Sequence, residues 1–204
     1  MAESYLIPEQ TYTFEEEIKH SRFITVLFHC DSDESFKCVL ANLKELYPGA
    51  NHYCYAYVLA APDDQVAIGS SDDGEPAGSA GRPMLASLQG AEIGEIGAVV
   101  IRYFGGTKLG VGGLVRAYSS GIKQAVKLLP TTLKQIRYRV ELACDYAQLK
   151  DIEHFVSKAN AIIEDRVFSN DILLTIAIPK ANLSTLNQDL ATISQGKLQV
   201  KLPQ

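Results

Sequence analysis

One segment constrains the fold of this chain more than any other. Residues 97–104 read as a strand whose middle, Ala98-Val99-Val100-Ile101, is apolar on both alternating faces. A strand buried on both sides belongs in the interior of a sheet that is covered above and below. Gly105-Gly106 ends it, and a helix begins near residues 109–113 and runs to about Leu129. Leu114, Ala117, Tyr118, Gly121, Ile122, Ala125 and Leu129 recur at helical spacing and predict the face of that helix that meets the sheet.

The remaining elements fit around this pair. Residues 11–19 and 22–30 read as strands joined by a turn at His20-Ser21. Asp31 or Ser32 caps a helix to about Tyr47, with an apolar stripe of Phe36, Val39, Leu40, Leu43 and Leu46. Pro48-Gly49 ends it. Residues 52–60 alternate as a strand, with His52, Cys54, Ala56 and Val58 on one face and Tyr53, Tyr55 and Tyr57 on the other. Residues 61–81 are turn-rich, and a short helix is expected over 83–89. After a linker at 130–133 the order is strand (137–144), helix (146–157), strand (161–168), strand (172–178), helix (182–193) and strand (197–202). That βαββαβ order is the ferredoxin-like motif. The fold class is therefore α+β, with domains at 1–132 and 136–204, a division that 204 residues can support.

Charge narrows the function classes. The net charge of −5 argues against coating nucleic acid by bulk attraction. Residues 96–140, however, contain no Asp or Glu and carry Arg102, Lys108, Arg116, Lys123, Lys127, Lys134, Arg137 and Arg139. An acidic chain with one such stretch is expected to present one surface to an anionic partner. No apolar run reaches membrane-spanning length, and the first residues lack a signal-peptide pattern, so a cytoplasmic location without membrane contact is expected. Cys30, Cys38, Cys54 and Cys144 are scattered without a C-x-x-C pair, which argues against a zinc site.

Two glycine-rich segments are the candidate sites. The first runs from Arg102, Tyr103, Gly105 and Gly106 through Lys108, Gly110, Gly112 and Gly113 to Arg116. A strand end feeding a glycine-rich helix start exposes N–H groups at the positive end of a helix dipole, an arrangement suited to an anion. It is neither a Walker loop nor a G-x-G-x-x-G fingerprint, since Val111 follows Gly110 and Gly113 follows Gly110-Val111-Gly112. The competing reading is that the glycines only let helix and sheet approach closely. The second segment holds Asp72, Asp73, Glu75 and Arg82. Three carboxylates so close could hold Mg²⁺ beside a substrate phosphate, although a solvated acidic turn is the commoner explanation. The four histidines show no nucleophile signature, and His52 with Cys54 reads as a core pair. No cofactor or resident metal is expected.

These segments also resemble a known family. Ser71-Asp72-Asp73-Gly74-Glu75-Pro76-Ala77-Gly78-Ser79-Ala80-Gly81-Arg82-Pro83 and the stretch from Val100 to Tyr118 are similar to signatures of the YigZ/IMPACT family, and Lys19–Ile24 and His52-Tyr53-Cys54 fit its earlier motifs. The resemblance spans the full length. It implies a first domain of the ribosomal-protein/RNase PH second-domain type and a second like the last domain of elongation factor G. It also implies a translation-linked regulator with RNA, the ribosome or a translation-associated protein as partner. A phosphate-handling, Mg-dependent enzyme and a protein–protein adaptor are the alternatives.

Overall fold

The computed structural model describes residues 3–202, which divide into two compact units, Tyr5–Lys134 and residues 135–202 with Glu3 and Ser4. The first unit contains all but one end residue of β1 (Ser4–Pro8) and of β7 (Thr131–Gln135), and the whole of β2 (Tyr12–Ile18), β3 (Ser21–His29), α1 (Asp33–Leu46), β4 (His52–Val58), β5 (Ile68–Ser71), α2 (Gly81–Gln89), β6 (Ile96–Tyr103) and α3 (Val111–Leu128). Five strands form one antiparallel sheet in the order β2-β3-β6-β4-β5, while β1 pairs with β7 as a separate ribbon.

β6 is the central strand, buried from Ile96 through Arg102. Its period of two sends Ala98 and Val100 into a core shared with Phe23, Leu27, Cys54 and Ala56, and Val99 and Ile101 into the opposite one. α2 and α3 cover the first face: Met84, Leu88, Leu114, Ala117, Tyr118, Ile122 and Ala125 are all buried there. Phe23 meets Tyr118 edge to face with ring centroids 5.5 Å apart. α1 covers the other face through Phe36 and Leu43. The Tyr55 and Tyr57 rings lie 5.0 and 4.8 Å from Phe36, so this aromatic stripe is packing beneath a helix.

Differences from the sequence reading have local causes. Ser32 caps α1, accepting the Ser35 N–H, but Leu46 at the far end of the stripe is 67% exposed. Residues 131–135 are strand β7 rather than linker, and β1 and β5 are short strands without a clean alternation.

The second unit contains β8 (Tyr138–Cys144), α4 (Leu149–Lys158), β9 (Ile162–Phe168), β10 (Ile172–Ile178) and α5 (Leu183–Ser194). Its antiparallel sheet has the order β8-β10-β9, with Ile152, Val156, Leu186 and Leu190 packed on Leu142, Leu174 and Ile176. The final strand expected at 197–202 does not form. Val200 is buried in the core, but its N–H donates to Asn187 Oδ1 and its carbonyl accepts from Asn187 Nδ2. Side chains of α5 thus take the backbone groups that a ladder would have used.

Candidate functional site

The cleft at the start of α3 is built from the two glycine-rich segments together. It encloses about 430 Å³. Its floor is Arg102 and Glu75, one wall is His52 and Asn51 from the β4 end, and the other is Gly110, Val111 and Leu114. Phe104, Lys108 and Leu109 form the lip. Registered pairing explains the floor and wall, because β4 pairs with β6 so that His52 lies directly beside Arg102.

The floor is a buried polar network. Arg102 is 5% exposed, and its Nη1 donates to Glu75 Oε1 at 2.5 Å. Tyr118 donates its hydroxyl to the same oxygen at 2.8 Å. Burial, with the neighbouring Cys54 and the Glu75 carboxylate, raises the Tyr118 pKa, so the phenol stays protonated and serves as a donor. Cys54 Sγ lies 3.3 Å from the Tyr118 hydroxyl and 3.0 Å from the Asp72 carbonyl. Burial pushes this thiol up to about 12, partly opposed by the Tyr118 hydrogen bond, so it is not a nucleophile at neutral pH. The guanidinium of Arg102 lies over the rings of Phe23 and Phe104, 5.3 and 5.5 Å from their centroids.

Several expectations for the first segment need correction. Arg102 is not an open cation, because a buried carboxylate neutralises it. Tyr103 points to the other face of the sheet, as alternation along β6 requires, and its hydroxyl donates to the Pro48 carbonyl. Gly105 is there for close approach: a Cβ would lie 1.9 Å from the His20 carbonyl oxygen, and its N–H donates to Ser21 Oγ. Gly106 is exposed, and Gly110, at φ +75°, turns the chain into α3. Arg116 and Gly113 line a neighbouring hollow with Lys19, not the cleft.

Gly112 differs from these. It lies in the first turn of α3 without a positive φ, and nothing falls within 4 Å of a Cβ built on it. Neither conformation nor packing demands glycine there. No side chain caps α3, and Leu114 is the first residue whose N–H closes the helical ladder, onto the Gly110 carbonyl at 2.9 Å. The N–H groups of Val111, Gly112 and Gly113 therefore have no helical partner.

The acidic turn resolves into three separate tasks. Asp72 accepts from the N–H groups of Gly78, Ala80 and Gly81, capping α2 from a distance. Burial pushes its carboxyl up, but those three donors and the Arg82 charge hold it net below the usual carboxylate range. Asp73 accepts from the Tyr53 N–H at 2.6 Å. Only Glu75 faces the cleft. No cluster of three metal-ligating side chains occurs among the described residues. Ser79 does not cap α2; its hydroxyl is buried without a partner. Arg82 is exposed and lines a third hollow with Lys123.

Sequence reasoning missed His52, Tyr118, Asn51 and Phe104. His52 belongs to the cleft, with a side chain 23% exposed, rather than to the core. The signal for Tyr118 was a lone hydroxyl on an apolar helix stripe, which needs a buried partner.

This is a two-domain α+β protein with a cleft at a glycine-rich strand-to-helix junction, and comparison with known proteins identifies the class. Residues 19–126 match the Impact N-terminal domain and residues 142–197 match DUF1949, a domain of unknown function. The chain is 45% identical over 202 residues to an IMPACT family member of Haemophilus influenzae, covering 99% of this chain and 98% of that one. It is 46% identical over 198 residues to IMPACT family member YigZ of Escherichia coli, covering 97% of each. The crystal structure of a hypothetical protein matches with a TM-score of 0.79 at 43% identity, covering 100% of this chain and 99% of that one. The chain belongs to the IMPACT family. No helix among the described residues is long and apolar enough to cross a membrane.

Proposed function

We propose that this protein is a non-enzymatic, translation-linked regulator that binds RNA through the basic, glycine-rich surface of its first domain. The observation that carries the reading is the outer face of α3. Arg116, Lys123 and Lys127 are exposed at i, i+7 and i+11, which places them on one stripe of the helix. Lys108 stands at its start, and Lys19 and Arg82 flank it in the adjoining hollows. None of these six cations is in an ion pair among the described residues, and residues 96–140 contribute no acid. Family membership supports the link to translation, as does the likeness of ribosomal-protein and elongation-factor folds that it implies. The Mg-dependent alternative is the weaker one, because Asp72 and Asp73 direct their carboxylates to backbone N–H groups.

Anisotropy of a labelled single-stranded RNA tests the proposal. Affinity should fall more than about tenfold between ~50 and ~200 mM salt, as binding through several phosphates requires. Lys123→Glu with Lys127→Glu should weaken it comparably. Absence of binding at low salt, or a double variant that binds like the parent, rejects the proposal. A partner retained after nuclease treatment would favour the adaptor instead.

A further inference from the structure

We infer that the cleft at the start of α3 holds one unstacked nucleotide whose base carries an exocyclic amino group. The amino group lies between Glu75 and His52, the base on Phe104 and the phosphate at the first turn of α3. This deepens the RNA-binding reading and rests on it.

The floor selects for a donor. Glu75 has a side chain 4% exposed, yet among the described residues only its Oε1 is hydrogen-bonded. Oε2 has no donor, and His52 Nε2 lies 3.9 Å from it. His52 Nδ1 lies 2.8 Å from the Asp73 carbonyl oxygen, which can only accept, so Nδ1 carries the proton. In the neutral ring Nε2 is then an acceptor as well. Two acceptors 3.9 Å apart, both on the cleft, leave a gap that one –NH₂ group fills with one N–H for each, its nitrogen about 2.9 Å from both. An imino N–H has a single hydrogen and cannot serve both. Adenine, guanine and cytosine carry such an amino group; uracil does not.

The lip and the helix start complete the ligand. Phe104 is 45% exposed, and its backbone is fixed by an N–H bond to Asn51 Oδ1 at 2.8 Å. With Arg102 stacked on one side, its ring offers a platform of the kind on which bases stack. The partnerless N–H groups of Val111, Gly112 and Gly113, beside Lys108, suit a phosphate. The absent side chain of Gly112 lets an oxygen reach that backbone. The volume of about 430 Å³ falls in the range of small-ligand sites, about 300–1,000 Å³. The cations of α3 continue away from this point, so neighbouring phosphates of a strand can follow them.

The full chain would be titrated with AMP, GMP, CMP and UMP while the backbone amide signals of Val111–Leu114 are followed by NMR. Thermal unfolding controls for folding of each variant. The three amino-bearing nucleotides should shift these signals, with UMP at least tenfold weaker. Phe104→Ala and Val111→Pro should each weaken AMP at least fivefold; proline suits the first helical position while removing one N–H. Equal binding of all four, preference for a free amino acid, or variants that bind AMP like the parent would overturn the inference. RNA binding without any mononucleotide response overturns it but leaves the α3 surface intact. Mononucleotide binding without RNA binding does the reverse.

Discussion

Glu75 and Glu95 are both buried carboxylates of the first unit, with side chains 4% and 5% exposed, and they are finished differently. Glu95 Oε1 accepts from the Tyr5 hydroxyl at 2.7 Å and from Lys134, and Oε2 accepts from His29 at 2.8 Å. Its backbone is fixed too, with its N–H on the Ala60 carbonyl and its carbonyl receiving the Cys30 N–H. Burial pushes this carboxyl up, but Lys134, Tyr5 and His29 outweigh it and hold it below the usual range. Glu75 has two donors on one oxygen and none on the other, which lies at the cleft. A buried acid with both oxygens bonded inward is architecture. One with an oxygen left over at a cleft still has an acceptor to offer.

Four substitutions test that contrast. Arg102→Ala should act most strongly, because it strands Glu75 as an uncompensated buried charge. A loss of about 3–5 kcal/mol in urea unfolding is expected, and a loss under 1 kcal/mol would show that Glu75 is not confined as described. Glu95→Gln should cost about 1–3 kcal/mol at neutral pH. The sign of its pH dependence follows from the lowered pKa: the stabilisation is present above the ordinary value of 4.5 and is lost as pH falls through the folded value. The variant should therefore show a flatter decline in acid than the parent, and a parallel decline would refute the assignment. Gly112→Ala should raise stability, by up to about 1 kcal/mol, while weakening AMP and RNA binding. Unchanged binding would mean that nothing approaches that backbone.

The smallest effect is expected at Glu16, a partly buried carboxylate beneath α3 whose Oε1 has no partner. Burial raises its pKa above 4.5. Its charged form is thus penalised in the folded state once pH exceeds the folded pKa, and the penalty is absent below 4.5. Glu16→Gln should raise the melting temperature at pH 7 by a degree or two, with the gain fading toward pH 4. A gain that persists undiminished at pH 4 would trace it to packing instead.

Strong periodicity made most of the fold legible. The buried face of α3, the two faces of β4 and the centrality of β6 follow from residue spacing alone. β1, β5 and β7 were illegible because strands of four or five residues give a period of two no room to show. The absent last strand was illegible for another reason. Its apolar pattern is satisfied by burying Val200, while Asn187 supplies the hydrogen bonds. At the site, sequence located both glycine-rich segments but assigned Arg102 to an anion and left the carboxylates between a Mg²⁺ site and a solvated turn. Whether Arg102 faces an anion or a carboxylate depends on which strand lies beside β6, and that is a long-range pairing.

The strand orders have a further consequence, for behaviour in a crowded solution. The two larger sheets each have one border strand with three successive charges, Glu15, Glu16 and Glu17 on β2 and Glu164, Asp165 and Arg166 on β9. A second chain that tried to extend either ladder would have to lay its own backbone along those charges, a common deterrent to fibre-like stacking. The β2 and β9 borders are thereby poor templates for a further strand.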